Sequence, residues 1–249
     1  MVNLNKFRFL SLTYPYEMLA EQNVGKLFNQ ILTLKLRGYQ HEYPAGVLPI
    51  DTTDFISIHH VVCLELKNEL RPVMAFKTTP LSRALKHQIN FPALSLAQQA
   101  GAPEHAKAVE KIMANCLEEK KELAYASSWT IDPVFRKDKQ LRGLLEASYI
   151  LGHKDYNIQE VLLGGTLRFK TENIFARMGH TLLKNENDEA LPLINVKHLF
   201  GEQVVIMHSQ KLTPYADECC APFQAMWDDR IEISPTTKDA TLRKLLIAA

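Results

Sequence analysis

Apolar residues recur every three or four places between Tyr16 and Glu42. Leu19, Val24, Leu27, Phe28, Ile31, Leu34 and Leu36 fall on that spacing, which predicts an amphipathic helix. Tyr43-Pro44-Ala45-Gly46 should end it, since proline and glycine both interrupt helices. A polar loop through Pro49-Ile50-Asp51-Thr52-Thr53-Asp54 leads into Ile56–Leu66, whose β-branched content predicts a strand. Lys67-Asn68-Glu69-Leu70 reads as a hairpin turn and Arg71–Thr79 as the returning strand. Leu81–Lys121 is mostly helix-compatible, with a break at Gly101-Ala102-Pro103 and a long charged helix over Glu104–Leu123.

The pattern then changes period repeatedly. Ser127–Ile131 is β-branched and aromatic and stops at Asp132-Pro133, where proline removes a ladder donor. A basic turn follows, with Arg136, Lys137, Lys139 and Arg142. A helix starts near Leu141 and offers Leu141, Leu144, Leu145 and Ile150 to an apolar face. A strand around Val161, a helix from Lys170 and a strand at His180–Leu183 complete the run. Gly179 fits a helix C-cap that needs positive φ. Lys184–Glu189 is a polar turn, Leu191–Glu202 an irregular segment or short helix, and Gln203–Leu212 a further strand. Beyond Tyr215, Pro214, Pro222 and Pro235 predict an irregular extension, closed by a short helix over Thr241–Ala248 that docks Leu242, Leu245 and Leu246. No repeat or low-complexity linker divides the chain. It reads as one domain over residues 1–212, with a C-terminal extension over residues 213–249 packed on it.

Composition narrows the function classes. The 249 residues are 46% hydrophobic and 23% charged, which is ordinary for a globular protein with a core. A net charge of +1 argues against nucleic acid as the main partner. No apolar run is long enough to span a bilayer, and the N-terminus lacks a signal-peptide pattern, so a cytoplasmic location is expected. Cys63, Cys116, Cys219 and Cys220 show neither metal-ligand spacing nor a disulfide framework. His59 and His60 are adjacent on a strand and point to opposite faces. No structural metal is expected.

The basic turn carries candidate chemistry. A helix N-terminus leaves unpaired N–H groups and partial positive charge, so Arg136, Lys137, Lys139 and Arg142 ahead of the helix suit a phosphate. An ordinary βαβ unit with a solvated basic turn has the same pattern.

The element order of Tyr125–Leu183, with Phe175-Ala176-Arg177-Met178-Gly179-His180 ending a helix ahead of a strand, resembles the acyl-donor-binding core of the GNAT acyltransferase superfamily. The family's glycine-rich phosphate turn is represented only by Gly143. The N-terminal half is similar to the branch holding acyl-homoserine-lactone synthases and long-chain N-acyl amino acid synthases. Lys35-Leu36-Arg37, Asp51-Thr52-Thr53-Asp54, Thr78-Thr79-Pro80-Leu81 and Asn90-Phe91-Pro92-Ala93-Leu94 occur in that branch's order. The resemblance covers roughly Leu27–Leu183.

That resemblance implies an α/β (α+β) fold with a central mixed, largely antiparallel sheet, splayed near Trp129 and Val161 and flanked by helices. It implies transfer of a long acyl group from a pantetheine thioester, on acyl-carrier protein or acyl-coenzyme A, to a small-molecule amine. An amino acid is the favoured acceptor, and no tightly bound cofactor is expected. The strand Trp129, Thr130 and Ile131 would pair with the pantetheine arm, and Arg136, Lys137, Lys139, Arg142 and Gly143 would hold the phosphate. Arg83, Lys86 and Lys170 add basic positions for an acidic carrier. Arg37, Asp51 and Asp54 are candidates for the amine; Asp51 and Asp54 would equally pair with Arg37 or cap a turn. Glu65 is the candidate general base, with a solvent-facing strand residue as the plain alternative. One departure bears on the substrate. Aligned on Asp132-Pro133, Tyr125-Ala126-Ser127-Ser128-Trp129 stands where lactone synthases have an E-x-S-R-F-like strand, which favours N-acyl amino acid synthesis over lactone formation. A catalytically silent GNAT-like binding domain is the second function class.

Overall fold

A computed structural model describes residues 3–236 except 44–46, 48 and 68. The chain forms two compact units. The first comprises Met1–Thr78, Ser128–Gly152 and Cys219–Ala249; the second comprises Thr79–Ser127 and His153–Glu218.

The sheet of the first unit is built on β1 (Phe7–Thr13), β2 (Ile58–Leu66), β3 (Glu69–Pro80) and β9 (Ile231–Ile233). β1 runs antiparallel to β2 from Phe7↔Leu64 to Thr13↔Ile58, and β2 antiparallel to β3 from Ile58↔Thr78 to Leu66↔Glu69. β9 lies parallel to β1 on its other side. Sequence reading assigns no element to Phe7–Thr13. β1 is buried along nearly its whole length, and its apolar-polar alternation slips phase at Phe9-Leu10, so no continuous period of two marks it.

Helix α1 (Gln22–Glu42) lays Val24, Leu27, Phe28, Ile31 and Leu34 against Leu10, Leu12, Val61, Cys63 and Ile233. Full burial of such side chains contributes about 1.5–3 kcal/mol each, which fixes the helix on the sheet. The helix starts later than its apolar spacing suggests: Tyr14 is left-handed and Pro15–Glu17 is a 3-10 turn. Leu36 is only partly buried, and Lys35 takes the inward position instead. The first unit also holds α2 (Thr53–Ile56), most of α6 (Lys139–Asp155) and α9 (Gln224–Asp228). The expected face of α6 is buried at Leu141, Leu144, Leu145 and Ile150.

In the second unit, β4 (Leu123–Ile131) begins parallel to β5 (Glu160–Thr166), pairing Leu123–Ala126 with Glu160–Leu163. β8 (Glu202–Ser209) runs antiparallel to β5, and β6 (Thr181–Leu182) and β7 (Ile194–Val196) both pair with β8. Within each unit the pairings are thus mixed and mostly antiparallel, the expected class. The helix ending expected near Leu123 stops at Glu118, because Leu123–Ala126 are needed in the β4 ladder. Helices α3 (Leu81–Lys86), α4 (Pro92–Gln99), α5 (Pro103–Glu118) and α7 (Thr171–Met178) belong here, and Gly179 caps α7 at φ 108° as its position requires.

The C-terminal extension is more regular than its prolines suggest. Pro214 opens α8 (Pro214–Cys220) and Pro222 opens a 3-10 turn, where a missing N–H costs nothing. The expected helix over Thr241–Ala248, the break at residues 44–46 and Asn68 of the hairpin lie outside the described residues. Among the described residues no helix is long and apolar enough to cross a membrane.

Candidate active site

The geometry of α1 brings Lys35 inward. Ile31, Lys35 and Gly38 succeed one another at spacings of four and three, so the lysine falls on the buried stripe. It meets Asp54 on α2, with Lys35 Nζ donating to Oδ1 at 2.7 Å and Oδ2 at 2.9 Å. Lys77 on β3 reaches the same group. Its Nζ lies 3.1 Å from Asp54 Oδ1, 3.0 Å from Asp51 Oδ1 and 2.7 Å from Thr53 Oγ1. The Asp51 N–H donates to Asp54 Oδ2 at 2.8 Å, and the Thr53 N–H to Asp51 Oδ1 at 2.8 Å. His59, opposite Lys77 in the ladder, places Nε2 2.7 Å from the Asp54 carbonyl oxygen.

Two lysines therefore face two aspartates. Lys35, Lys77 and Asp54 are buried, while the Asp51 side chain is 59% exposed. Burial pushes the Lys35 ammonium down to about 8, and Lys77 pushes the same way. Burial would raise both aspartates, but Lys77 and Lys35 outweigh it and hold them below the usual carboxylate range. Burial drives His59 down to about 4 against the pull of Asp54, so the ring is neutral. The result is a rigid base presenting one ionised carboxylate, Asp51, whose Oδ2 has no hydrogen-bond partner among the described residues.

The end of β4 forms a second construction. Ser128 takes a left-handed φ of 61° inside the strand, a costly conformation for a residue with a side chain. Trp129 stacks on Phe76, centroids 4.3 Å apart. Thr130 is buried against Gly38 of α1, where a Cβ would overlap its hydroxyl. The Ile131 carbonyl accepts from Arg136 Nε at 3.3 Å, and the Asp132 N–H donates to the Val73 carbonyl at 2.8 Å.

The expected phosphate residues divide. Arg136 is held by an ion pair with Glu42 and by donation to the Gly38 carbonyl at 2.9 Å. Lys137, Lys139 and Arg142 are exposed. Asp138 Oδ1 accepts from the Gln140 and Leu141 N–H groups at 2.8 and 3.2 Å, so these donors of the helix N-terminus are not free. Gly143 lies within α6, 3.7 Å from the Phe223 ring at the point where a Cβ would stand.

The amine candidates also separate. Asp51 and Asp54 sit together, but their partners are Lys35 and Lys77 and not Arg37. Arg37 pairs with Asp132 at 2.6 Å, beside Arg71 at 3.1 Å. Glu65 is bound to Arg8 at 3.2 Å, and Arg8 also pairs with Asp229; among the described residues no hydrogen bond links Glu65 to the lysine–aspartate cluster. Sequence reading overlooked Lys77 as a site residue and took Lys35 only as part of a motif. The signal for Lys35 was a cation spaced on an apolar stripe.

No family model and no curated protein matches the chain. Solved structures do. The CoA-dependent acyl-homoserine lactone synthase BjaI, with SAM and isopentyl-CoA, is 14% identical over 97% of this chain and 99% of its own, with a TM-score of 0.55. The CoA-dependent acyl-homoserine lactone synthase MesI is 12% identical over 88% and 95%, with a TM-score of 0.51. FeeM, an N-acyl amino acid synthase from uncultured soil microbes, is 10% identical over 82% and 92%, with a TM-score of 0.48. The chain shares the fold of these acyl-homoserine lactone synthases.

Proposed function

We propose that this chain is an N-acyltransferase that moves an acyl group from a pantetheine thioester to an amine, with an amino acid as acceptor. The observation that carries the reading is the exposed Asp51 carboxylate on its buried base of Lys77, Thr53, Asp54 and Lys35. An ionised carboxylate with one oxygen tied down and the other open suits a substrate ammonium. Its depressed pKa makes Asp51 a binder of the ammonium and a poor acceptor of its proton. The proton therefore leaves to water or to a second carboxylate before attack. The amine nitrogen then bonds to the thioester carbon and sheds its second proton as the C–S bond breaks, and the departing thiolate ends with that proton. The left-handed Ser128 supports the reading from the donor side, because it re-aims backbone groups where β4 leaves the β5 ladder. Lys137, Lys139 and Arg142 supply charge for the donor phosphate.

The second reading is a GNAT-like domain that binds a ligand or partner without turnover. Asp138 favours it, since its carboxylate occupies donors that a phosphate would use. Incubation with acyl-coenzyme A or acylated carrier protein and a panel of amino acids, read by mass spectrometry, separates the two. An N-acyl amino acid is the expected product. Donor binding without product from any amine supports the silent domain instead.

A further inference from the structure

Asp132 is buried, yet its Oδ2 takes two guanidinium groups, Arg37 Nη2 at 2.6 Å and Arg71 Nη2 at 3.1 Å. Its Oδ1 accepts the Val134 N–H at 3.1 Å. One arginine would neutralise this carboxylate. The second adds a like charge beside the first, and an incoming anion would offset the excess. Both arginine side chains stay nearly half exposed, at 46% and 47%. Neither has a second carboxylate among the described residues. Nearby charges do not cancel the excess: Arg136 is answered by Glu42, and Lys35 and Lys77 by Asp54 and Asp51.

We propose that Arg37 and Arg71 form an anion subsite for the nucleotide phosphates of a coenzyme A donor. The inference rests on the donor reading above and deepens it. Asp132 acts as a pedestal. It holds Nη2 of each guanidinium while both side chains stay nearly half exposed, so little freedom is lost on binding. The two Nη2 atoms are no further apart than the sum of their distances to the shared oxygen, a gap that one phosphate bridges. Arg37 comes from α1 and Arg71 from β3, so this subsite is separate in the chain from Lys137, Lys139 and Arg142. A carrier-bound pantetheine arm has a single phosphodiester and needs only one such subsite. Coenzyme A carries a pyrophosphate and a 3′-phosphate, and so has a group for each.

The probes are adenosine 3′,5′-bisphosphate, coenzyme A and pantetheine, titrated calorimetrically. Replacing both arginines would strand the buried Asp132, so the variants are the single changes R37Q and R71Q, each leaving one guanidinium in place. Each is expected to weaken the bisphosphate and coenzyme A about tenfold and to leave pantetheine unchanged. Wild-type affinity for both nucleotides in both variants overturns the subsite. So does a wild type that ignores both nucleotides yet acylates amines from a carrier protein, an outcome that leaves the acyltransferase reading standing. Nucleotide binding that depends on both arginines, without acyl transfer from any donor, keeps the subsite and sinks the acyltransferase reading.

Discussion

Lys35 Nζ holds both oxygens of Asp54, at 2.7 and 2.9 Å, where neither side chain meets solvent. Lys77 shares that carboxylate, so Asp54 is the hinge of the cluster. Breaking a buried ion pair from one side leaves the other charge stranded, at a cost of about 3–5 kcal/mol. D54N should therefore destabilise more than K35M, because it leaves Lys35 with no carboxylate and Lys77 with Asp51 alone, whereas K35M leaves Asp54 still paired with Lys77. Urea unfolding of the two variants measures the order, and equal or reversed losses would remove Asp54 from that position.

Acid should unfold the protein early. His59 and His60 in the first unit and His153 and His180 in the second are buried, and burial drives them down to about 4, 3, 4 and 3. An unfolded chain takes up these protons near pH 6.5, while the folded chain does not. The unfolded state thus binds more protons in that window, and stability falls as pH drops from 6.5 toward 4. Each ring withdraws roughly 3 kcal/mol by pH 4. Asp51 and Asp54 add a further loss below that, as their carboxylates protonate. Denaturant titrations at pH 7, 5.5 and 4.5 should show the decline. A constant unfolding free energy across them would mean that these rings are not held neutral.

Gly38 lets α1 touch β4. A Cβ there would overlap the Thr130 hydroxyl, and overpacking of this kind costs about 1–3 kcal/mol. G38A should lower the melting temperature, and T130A in the same chain should recover part of the loss. Additive effects in the double-mutant cycle would show that the two positions do not meet.

Much of this architecture was legible because it follows from period. The spacing of Leu27, Ile31 and Leu34 marks α1, the change of period after Ile131 marks α6, and Gly179 marks the end of α7. Three features were not legible, each for a physical reason. β1 is buried along nearly its whole length, and its short alternation slips phase at Phe9-Leu10. Leu123–Ala126 extends a charged helical pattern by composition and becomes strand only because β5 is there to pair with it. Partner choice among charges depends on three-dimensional placement. Arg37, next but one to Lys35 on α1, points to Asp132 while Lys35 goes to Asp54, and nothing in the local sequence separates the two.

The basic turn offers a test in which structure and binding part company. Lys137, Lys139 and Arg142 are exposed, whereas Arg136 ties Glu42 and the Gly38 and Ile131 carbonyls. K139E/R142E should weaken the acyl donor about tenfold at low salt, with less effect at high salt, and should leave the melting temperature unchanged. R136E should lower the melting temperature, because it places a carboxylate beside Glu42. A fully stable R136E, or unaltered donor affinity in K139E/R142E, would reverse the roles assigned to these residues.

Asp51 is where the acceptor reading is most exposed to failure. Its Oδ1 is occupied by Lys77 and the Thr53 N–H, its Oδ2 has no hydrogen-bond partner among the described residues, and the side chain is exposed. D51N keeps an oxygen for the Lys77 and Thr53 contacts, so the fold should lose only about 1 kcal/mol. The amide cannot offer a negative charge to an ammonium, and a hydrogen bond to a charged group is worth about 1.5–3 kcal/mol. The KM for the amine should therefore rise by roughly ten- to a hundredfold, while donor affinity stays at its wild-type value. The contrast with D54N is the discriminating measurement: that variant should lose stability first and substrate affinity only as a consequence. If D51N acylates its amine with an unchanged KM, the open carboxylate is a turn cap and the ammonium binds elsewhere.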